Sequence, residues 1–291
     1  MTDAAPSPDR PRRARSQHVL TVLRTERLTG HLVRVHLGGD GLDAFLAESD
    51  PERLAATDRY VKLLLPPRGS DLQPPFDLDA LRASVAPEQL PVRRTYTVRS
   101  VDLERRSIAV DFVVHGDEGV AGPWALAAAP GDRIALSAPG GAWSPSADPE
   151  AVHLLLGDDS ALPAIASALE GMSAHARGLV LIEVDSAADE LDLPAPAGVE
   201  VRWLHRGGLE AGRALVAAVR AERRPEGVLE GVLEVFAHGE RTAMKQLRAL
   251  LQDEWGVERR ALSLSAYWAL GRAEDRFQAE KREPVGAIFA D

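Results

Sequence analysis

Residues 92–141 read VRRTYTVRSVDLERRSIAVDFVVHGDEGVAGPWALAAAPGDRIALSAPGG. Two alternating, β-prone segments, Thr95–Val101 and Ile108–His115, flank a polar turn centred near Glu104–Arg105. That is the pattern of an antiparallel hairpin. A turn centred there sets Arg94 opposite His115 and Tyr96 opposite Val113, which places Arg94, Tyr96 and His115 on one face. A loop with Gly116, Gly119 and Gly122 follows, and Pro123 then fits the first position of a short helix. An arginine suits a phosphate, and a tyrosine can lie against an aromatic ring. A helix start offers amides and positive potential to a pyrophosphate. Solvated surface arginines account for the hairpin alone, and a plain connector for the glycine loop alone. The two in direct succession favour a phosphate-bearing cofactor.

Upstream, HVLTVLRTERLTGHLVRVHL (18–37) alternates around a turn at Thr29–Gly30 and reads as two antiparallel strands. RYVKLLLP (59–66) reads as a third, stopped by Pro66–Pro67, and residues 69–91 as a loop with a short helix. A further strand is expected at Arg133–Ser137. Many short strands with turn signals indicate a small antiparallel barrel. Near 147–150 the pattern changes. AVHLLLGDDSALPAIASALEGM (151–172) is a buried strand, a tight loop and a helix of period 3.6. GLVLIEV, VEVRWLHR, GVLEVFAHG and the start of RRALSLSAYWALG are further strands, with helices at GRALVAAVRAER and RTAMKQLRALLQDEWG. Alternating strands and helices indicate a parallel α/β sheet. The expected organisation is a basic arm without structure over 1–17, a β-barrel domain over 18–147 and an α/β domain over 148–291. RAEDRFQAEKRE reads as a solvated closing helix.

The chain has 291 residues, a net charge of −10 and no cysteine. The acidic balance argues against general nucleic-acid binding, which needs a broad basic face. The lack of thiols rules out disulfides and Cys-ligated clusters. No apolar run is long enough to span a bilayer, and the first residues have no apolar core of a secretion signal, so a cytoplasmic protein is expected. The eight histidines show no metal-binding spacing, and there is no Gly-x-Ser-x-Gly elbow. Asp158, Asp159 and Ser160 suit a helix cap and would repel a pyrophosphate, so that loop either caps a helix or faces a nicotinamide or substrate. Glu183 and Asp185 end a strand, either exposed or beside a ribose hydroxyl. Tyr267 and Trp268 are either core aromatics or lining of a cofactor cleft.

RRTYTVRSVD, VDFVVHGDEGVAGPWA, PGDRIALSAPGG, LLLGDDSALPAI, VRWLHR and LSAYWALG occur in the order seen in siderophore-interacting proteins, and over about residues 18–275 the chain resembles that family. These are FAD-containing ferric-siderophore reductases of the ferredoxin-reductase superfamily. The Arg-x-Tyr-Thr motif belongs to the whole superfamily, while DFVxHGxxGxxxxW is more specific. The resemblance implies an FAD-binding barrel followed by an NAD(P)H-binding-like α/β domain. It implies a cofactor set of Arg94, Thr95, Tyr96, Thr97, Val98, Arg99, Asp111, Val113, His115, Gly116, Ala121, Gly122, Pro123 and Trp124. Within that set Arg94 would contact phosphate, Tyr96 would stack on the isoalloxazine and Thr97 would hydrogen-bond near flavin N5. Asp158, Asp159 and Ser160 would face a nicotinamide. Lys62, His238, Tyr267, Trp268 and Arg272 would meet the substrate.

The family pattern reads Tyr-Trp-Arg where this chain has Tyr267-Trp268-Ala269, which removes a basic residue associated with anionic ferric siderophores. Arg272, three residues on, or a protonated His238 is the candidate replacement. The expected reaction uses NADH or NADPH as donor, FAD as carrier and a ferric siderophore as acceptor in a monomeric protein, with no catalytic acid or base. Glu183 and Asp185 beside a ribose would disfavour a 2′-phosphate and so favour NADH. A flavin- or siderophore-binding module without turnover, or a reductase of flavodoxin or ferredoxin, stays open as an alternative.

Overall fold

The computed structural model describes residues 17–117, 119–222 and 230–289. All but the last residue of the expected N-terminal arm lies outside them. In chain order the first elements are β1 (His18–Arg27), β2 (Leu32–Gly38), α1 (Gly41–Glu48), α2 (Pro51–Ala55), β3 (Tyr60–Leu65) and α3 (Leu78–Ser84). β4 (Val92–Asp102), β5 (Ser107–Val113), α4 (Ala121–Ala127) and β6 (Arg133–Leu136) complete the first unit. The six strands close into a barrel in the order β1-β2-β5-β4-β3-β6, every pair antiparallel. Alternation aims Leu20, Val35, Leu63, Val98, Val110, Phe112 and Leu136 into one core, each fully buried. Burying a side chain of this size contributes about 1.5–3 kcal/mol, so closure of the barrel rests on these residues. Leu42 and Phe45 of α1, a helix with no counterpart in the sequence reading, pack into the same core.

The second unit comprises β7 (Ala151–Asp158), α5 (Leu162–Gly171), β8 (Arg177–Val184), β9 (Gly198–His205), α6 (Arg213–Ala221), β10 (Val232–Glu240), α7 (Arg241–Arg248), β11 (Leu262–Trp268) and α8 (Glu274–Glu280). Its five strands are all parallel, in the order β11-β10-β7-β8-β9. β7 is buried along its whole length, as a central parallel strand covered on both faces must be. α6 and α7 cover one face, while α5 and residues of the barrel cover the other. No helix among the described residues is long and apolar enough to cross a membrane.

The β4–β5 hairpin departs from the expected register. Near its turn Asp102 pairs with Ser107 and Ser100 with Ala109, which agrees with a turn centred near 104–105. A bulge between Val98 and Ser100 then slips the pairing by one, so Val98 faces Val110. Tyr96 therefore packs on Phe112, ring centroids 4.5 Å apart, and not across from Val113. His115 leaves on the opposite side of β5 from Tyr96, so Arg94, Tyr96 and His115 do not share a face.

The closing helix is not simply solvated. Phe277 of α8 is 1% exposed and packs with Ala266 and Ala269. Glu280 is buried and accepts from Arg241 at 2.6 Å, Arg272 at 2.9 Å and Arg276 at 3.0 Å. A single phenylalanine among charges gives no periodic signal, which is why the sequence hides this contact. The Arg241 hydrogen bond, with those of Arg276 and Arg272, holds the Glu280 carboxyl down to about 2 against an ordinary value of 4.5. A depressed carboxylate stabilises the fold above the unfolded value, and that stabilisation is lost as pH falls toward the folded one. Chemical unfolding of wild type and Glu280→Gln should therefore show a stability gap that narrows as pH falls from about 5 to about 3. A gap independent of pH would contradict this account of α8.

Candidate functional site

The barrel presents Arg94 and Tyr96 from one face of β4. Arg94 lies across from Leu63 and Tyr96 across from Val61. The guanidinium of Arg94 forms a two-pronged pair with the Asp275 carboxylate of α8, at 3.0 and 3.2 Å. Its fork is thus already set for a planar anion. Tyr96 is half-buried against Phe112, and Phe112 in turn packs on Trp124 of α4, centroids 5.6 Å apart. Thr97 points to the other side of β4, where its side chain is in hydrogen-bonding contact with the Tyr267 hydroxyl of β11. Thr95, opposite Lys62, is exposed, and Val98 lies inside the barrel core.

Other members of the expected cofactor set are engaged with neighbouring residues of the protein, some of them across the seam between the two units. Arg99, on the bulge, pairs through both oxygens with Glu170 of α5, at 2.9 and 2.5 Å. Both oxygens of Asp111 are taken by Arg34, at 2.7 and 2.8 Å, and Val113 packs with the core around α5. His115 lies 6.1 Å from His31, and His31 Nδ1 contacts Asp189 of the α/β unit at 2.8 Å. Burial, and next the positive potential of His31, lowers the His115 pKa and keeps the ring neutral. Asp185 joins His31 and Asp189 in the one group of metal-ligating types gathered among the described residues.

Gly116 and Gly119 adopt left-handed φ values of 55° and 74° with open space where a side chain would project. Those values are strained for other residues and let the chain turn between β5 and α4. Ala121 starts α4 and is buried, Gly122 follows, and Pro123 takes the third helical position and not the first. Trp124 then donates its backbone N–H to Val120 at 3.1 Å. The helix begins two residues earlier than expected, and Gly122 in its first turn lies close against Val113 and Val114.

The carboxyl edge of the parallel sheet is built around three buried acids. Asp158, ending β7, accepts from Ser160 N at 2.9 Å, Ser160 Oγ at 2.5 Å, Glu240 N at 3.0 Å and Trp268 Nε1 at 2.8 Å. Glu183, fully buried, accepts from Gly212 N, Leu215 N and Arg206, and so holds the start of α6. Its expected exposure or ribose contact gives way to this role, because unpaired amides at a helix start attract a carboxylate. Glu240 accepts from Thr242 N and Ala243 N at the start of α7. Glu240 was missed by the sequence reading, although an acid two residues before the first free amide was a legible cap signal. The hydroxyl of Ser160 and the carboxylate of Asp158 are thus engaged in the protein itself.

Around the expected substrate residues the structure leaves one ring uncharged and ties one cation to an acid. Burial pushes the His238 ring down to about 3, so it stays neutral and does not substitute for a base. The ring stacks on Phe236 at 4.0 Å, meets Tyr267 edge-on and contacts Ser263 Oγ at 3.1 Å. Arg272 is held by Glu280. Ala269 is 3% exposed beneath Phe277, where a long basic side chain has no room. Tyr267 meets Thr97 of the barrel, while Trp268 donates its indole N–H to Asp158 within the α/β unit.

Asp159 pairs with Arg206 at 2.5 Å, but Glu183 and Asp185 share the same guanidinium. One cation does not neutralise three carboxylates. Burial, and next the charge of Asp158, pushes Asp159 up to about 6. A raised carboxyl stabilises the fold when protonated, fully below the unfolded value of 3.8, and loses that stabilisation as pH rises through about 6. Wild type should therefore lose on the order of 2 kcal/mol relative to Asp159→Asn between about pH 4 and pH 7, read by urea unfolding. A flat difference would contradict the charge imbalance around Arg206.

Two family descriptions match this chain: the siderophore-interacting FAD-binding domain over residues 21–143 and the siderophore-interacting protein over 150–271. An uncharacterized protein of Mycobacterium tuberculosis is 44% identical over 92% of this chain and 96% of its own. Ferric vibriobactin reductase ViuB of Vibrio cholerae is 32% identical over 93% and 96%. The crystal structure of the siderophore-interacting protein SipS from Aeromonas hydrophila superposes with a TM-score of 0.75 at 28% identity, covering 94% of this chain and 99% of that one. The chain belongs to the siderophore-interacting protein family.

Proposed function

We propose that this protein is an FAD-dependent reductase of ferric siderophores, with NADH or NADPH as the donor. The observation that carries the reading is the pairing of Arg94 and Tyr96 on one barrel face beside a Thr97–Tyr267 contact that joins the two units. Arg94 already grips a carboxylate through two N–H groups, the chemistry that a pyrophosphate oxygen pair requires. Tyr96 and Trp124, braced through Phe112, offer partly open aromatic surface, and open space lies where side chains at Gly116 and Gly119 would project. These residues fit FAD. When bound, FAD would accept a hydride from a nicotinamide and release electrons singly, as Fe(III) requires.

The protein's own part is binding and exclusion. Arg94 and the loop from Gly116 to Trp124 hold the phosphates, Tyr96 bears the ring system, and Thr97 is fixed by Tyr267. Thr95 and Val98 contribute backbone, Arg99 and Val113 support the site through the seam, and Asp111 braces the barrel through Arg34. Tyr267 and Trp268 shield the opposite side, with Asp158 fixing the indole. Asp185 projects from the strand end beside Glu183, which favours a donor without a 2′-phosphate. No residue need donate a proton to the metal complex, since losing an electron pair in single steps to Fe(III) makes no demand on a side-chain acid. Fe(III) prefers hard, anionic oxygen ligands more than Fe(II) does, so reduction loosens the chelate. Lys62, on the outer face of β3, is the barrel's cation toward such an acceptor.

Removing the Arg94 fork should weaken FAD binding. A charged, two-pronged contact is worth about 1.5–3 kcal/mol, so Arg94→Ala should raise the FAD dissociation constant roughly 10- to 100-fold, with Arg94→Lys between it and wild type. Equilibrium titration of apoprotein with FAD, followed by flavin fluorescence, measures this. Wild-type affinity in Arg94→Ala would remove the reading.

A further inference from the structure

Arg94, the cation assigned above to the FAD phosphates, is held by an acid of α8. Asp275 reaches it across the seam, Oδ1 accepting from Nη1 at 3.0 Å and Oδ2 from Nη2 at 3.2 Å. Nη1 also donates to the Arg93 carbonyl at 2.8 Å. A guanidinium offers its donors as an end pair, Nη1 with Nη2, and a side pair, Nε with Nη2. The carboxylate fills the end pair and leaves the side pair to any second anion. The arginine side chain is 15% exposed and the aspartate 67%, so the acid is the partner that can swing away into solvent.

α8 has other anchors. Phe277 packs with Ala266 and Ala269, and Glu280 gathers Arg241, Arg272 and Arg276, all within the α/β unit. An acid in the first turn of a helix is ordinary, because it suits the free amides there. Glu274 already provides one, and it accepts from Gln278 of its own helix at 2.8 Å. The helix start therefore does not explain why Asp275 engages both oxygens with an arginine of the barrel. Nor does Arg94 depend on Asp275 alone for its orientation, since the Arg93 carbonyl fixes one end of the guanidinium from the same strand.

We infer that Asp275 is a built-in stand-in for a phosphate: its carboxylate and the FAD pyrophosphate compete for Arg94, so that α8 limits how tightly FAD is held. This rests on the FAD reading of Arg94. A pyrophosphate that takes the end pair of donors must displace Asp275. One that takes the side pair puts two anions on one guanidinium, where like charges repel. By either route the carboxylate works against the phosphate. The competition is reciprocal. FAD that takes the fork releases the first turn of α8 from the barrel, while Phe277 and Glu280 keep the rest of the helix in place. The competing acid lies beyond residue 271, where the match to the family description ends.

Binding tests this without turnover. Full-length apoprotein is titrated with FAD and with riboflavin, which has the same ring system and no phosphate, followed by flavin fluorescence. Asp275→Asn should lower the FAD dissociation constant about three- to fivefold, and Asp275→Ala should act in the same direction. Riboflavin binding should change by less than about 1.5-fold, because only the phosphates compete for Arg94. In an Arg94→Ala background Asp275→Asn should leave FAD affinity unchanged, since the contested group is gone. A melting curve shows that each variant is folded. Unchanged or weaker FAD binding in Asp275→Asn, an equal gain for riboflavin, or a gain that persists without Arg94 overturns the inference. Wild type that binds no FAD overturns the FAD reading itself, and the inference with it.

Discussion

The carboxylate of Asp158 holds together the edge of the sheet on which the site is built. It ends β7, ties down Ser160 ahead of α5, accepts the Glu240 amide at the end of β10 and fixes the Trp268 indole at the end of β11. Taking a carboxylate out of water costs several kcal/mol. Four donors and the charge of Arg206 offset part of that cost, and burial still holds the Asp158 carboxyl above the ordinary carboxylate range. Through Trp268 the same group sets where β11 ends, and therefore where Tyr267 meets Thr97 of the barrel. One buried acid thus couples the α/β unit to the strand that carries Arg94 and Tyr96. Glu183 and Glu240 repeat the device at α6 and α7. The helix starts at this edge are satisfied internally and do not wait for a ligand anion.

The seam between the units follows from opposite charges on rigid elements. Arg99 on the β4 bulge meets Glu170 on α5, His31 meets Asp189, and Arg94 meets Asp275. Each pair joins a residue of the barrel to one of the α/β unit, so the cleft edges are set by the fold. Arg94 stands apart within this set, because its partner is the most exposed of the three carboxylates. That makes it the pair an incoming phosphate can share or replace at least cost.

Much of the architecture was legible in the sequence. Alternation over 18–37, 95–101 and 108–115 located barrel strands, and unbroken apolar runs such as LLLG and GLVLIEV located buried parallel ones. What escaped it is instructive. The bulge at Arg99 leaves no mark in composition, yet one extra residue moved His115 away from Tyr96. Burial decides the charge of His238, and burial is a property of the packed molecule. The role of α8 depended on a single phenylalanine, below the threshold of any periodic pattern. The loss of a basic residue at 269 was visible at once, but its reason, Phe277 lying over the position, was not.

The central claim is that Arg94, Tyr96 and the glycine loop hold a flavin that passes electrons from a nicotinamide to ferric iron. An anaerobic absorbance spectrum of FAD-loaded protein, taken after NADH or NADPH and again after a ferric siderophore, tests it most directly. The account predicts that the flavin bands bleach with one of the two donors and return as Fe(II) is trapped by a colour-forming chelator. Bands that stay oxidised with both donors, or a bleached flavin that the ferric siderophore does not reoxidise, would contradict it.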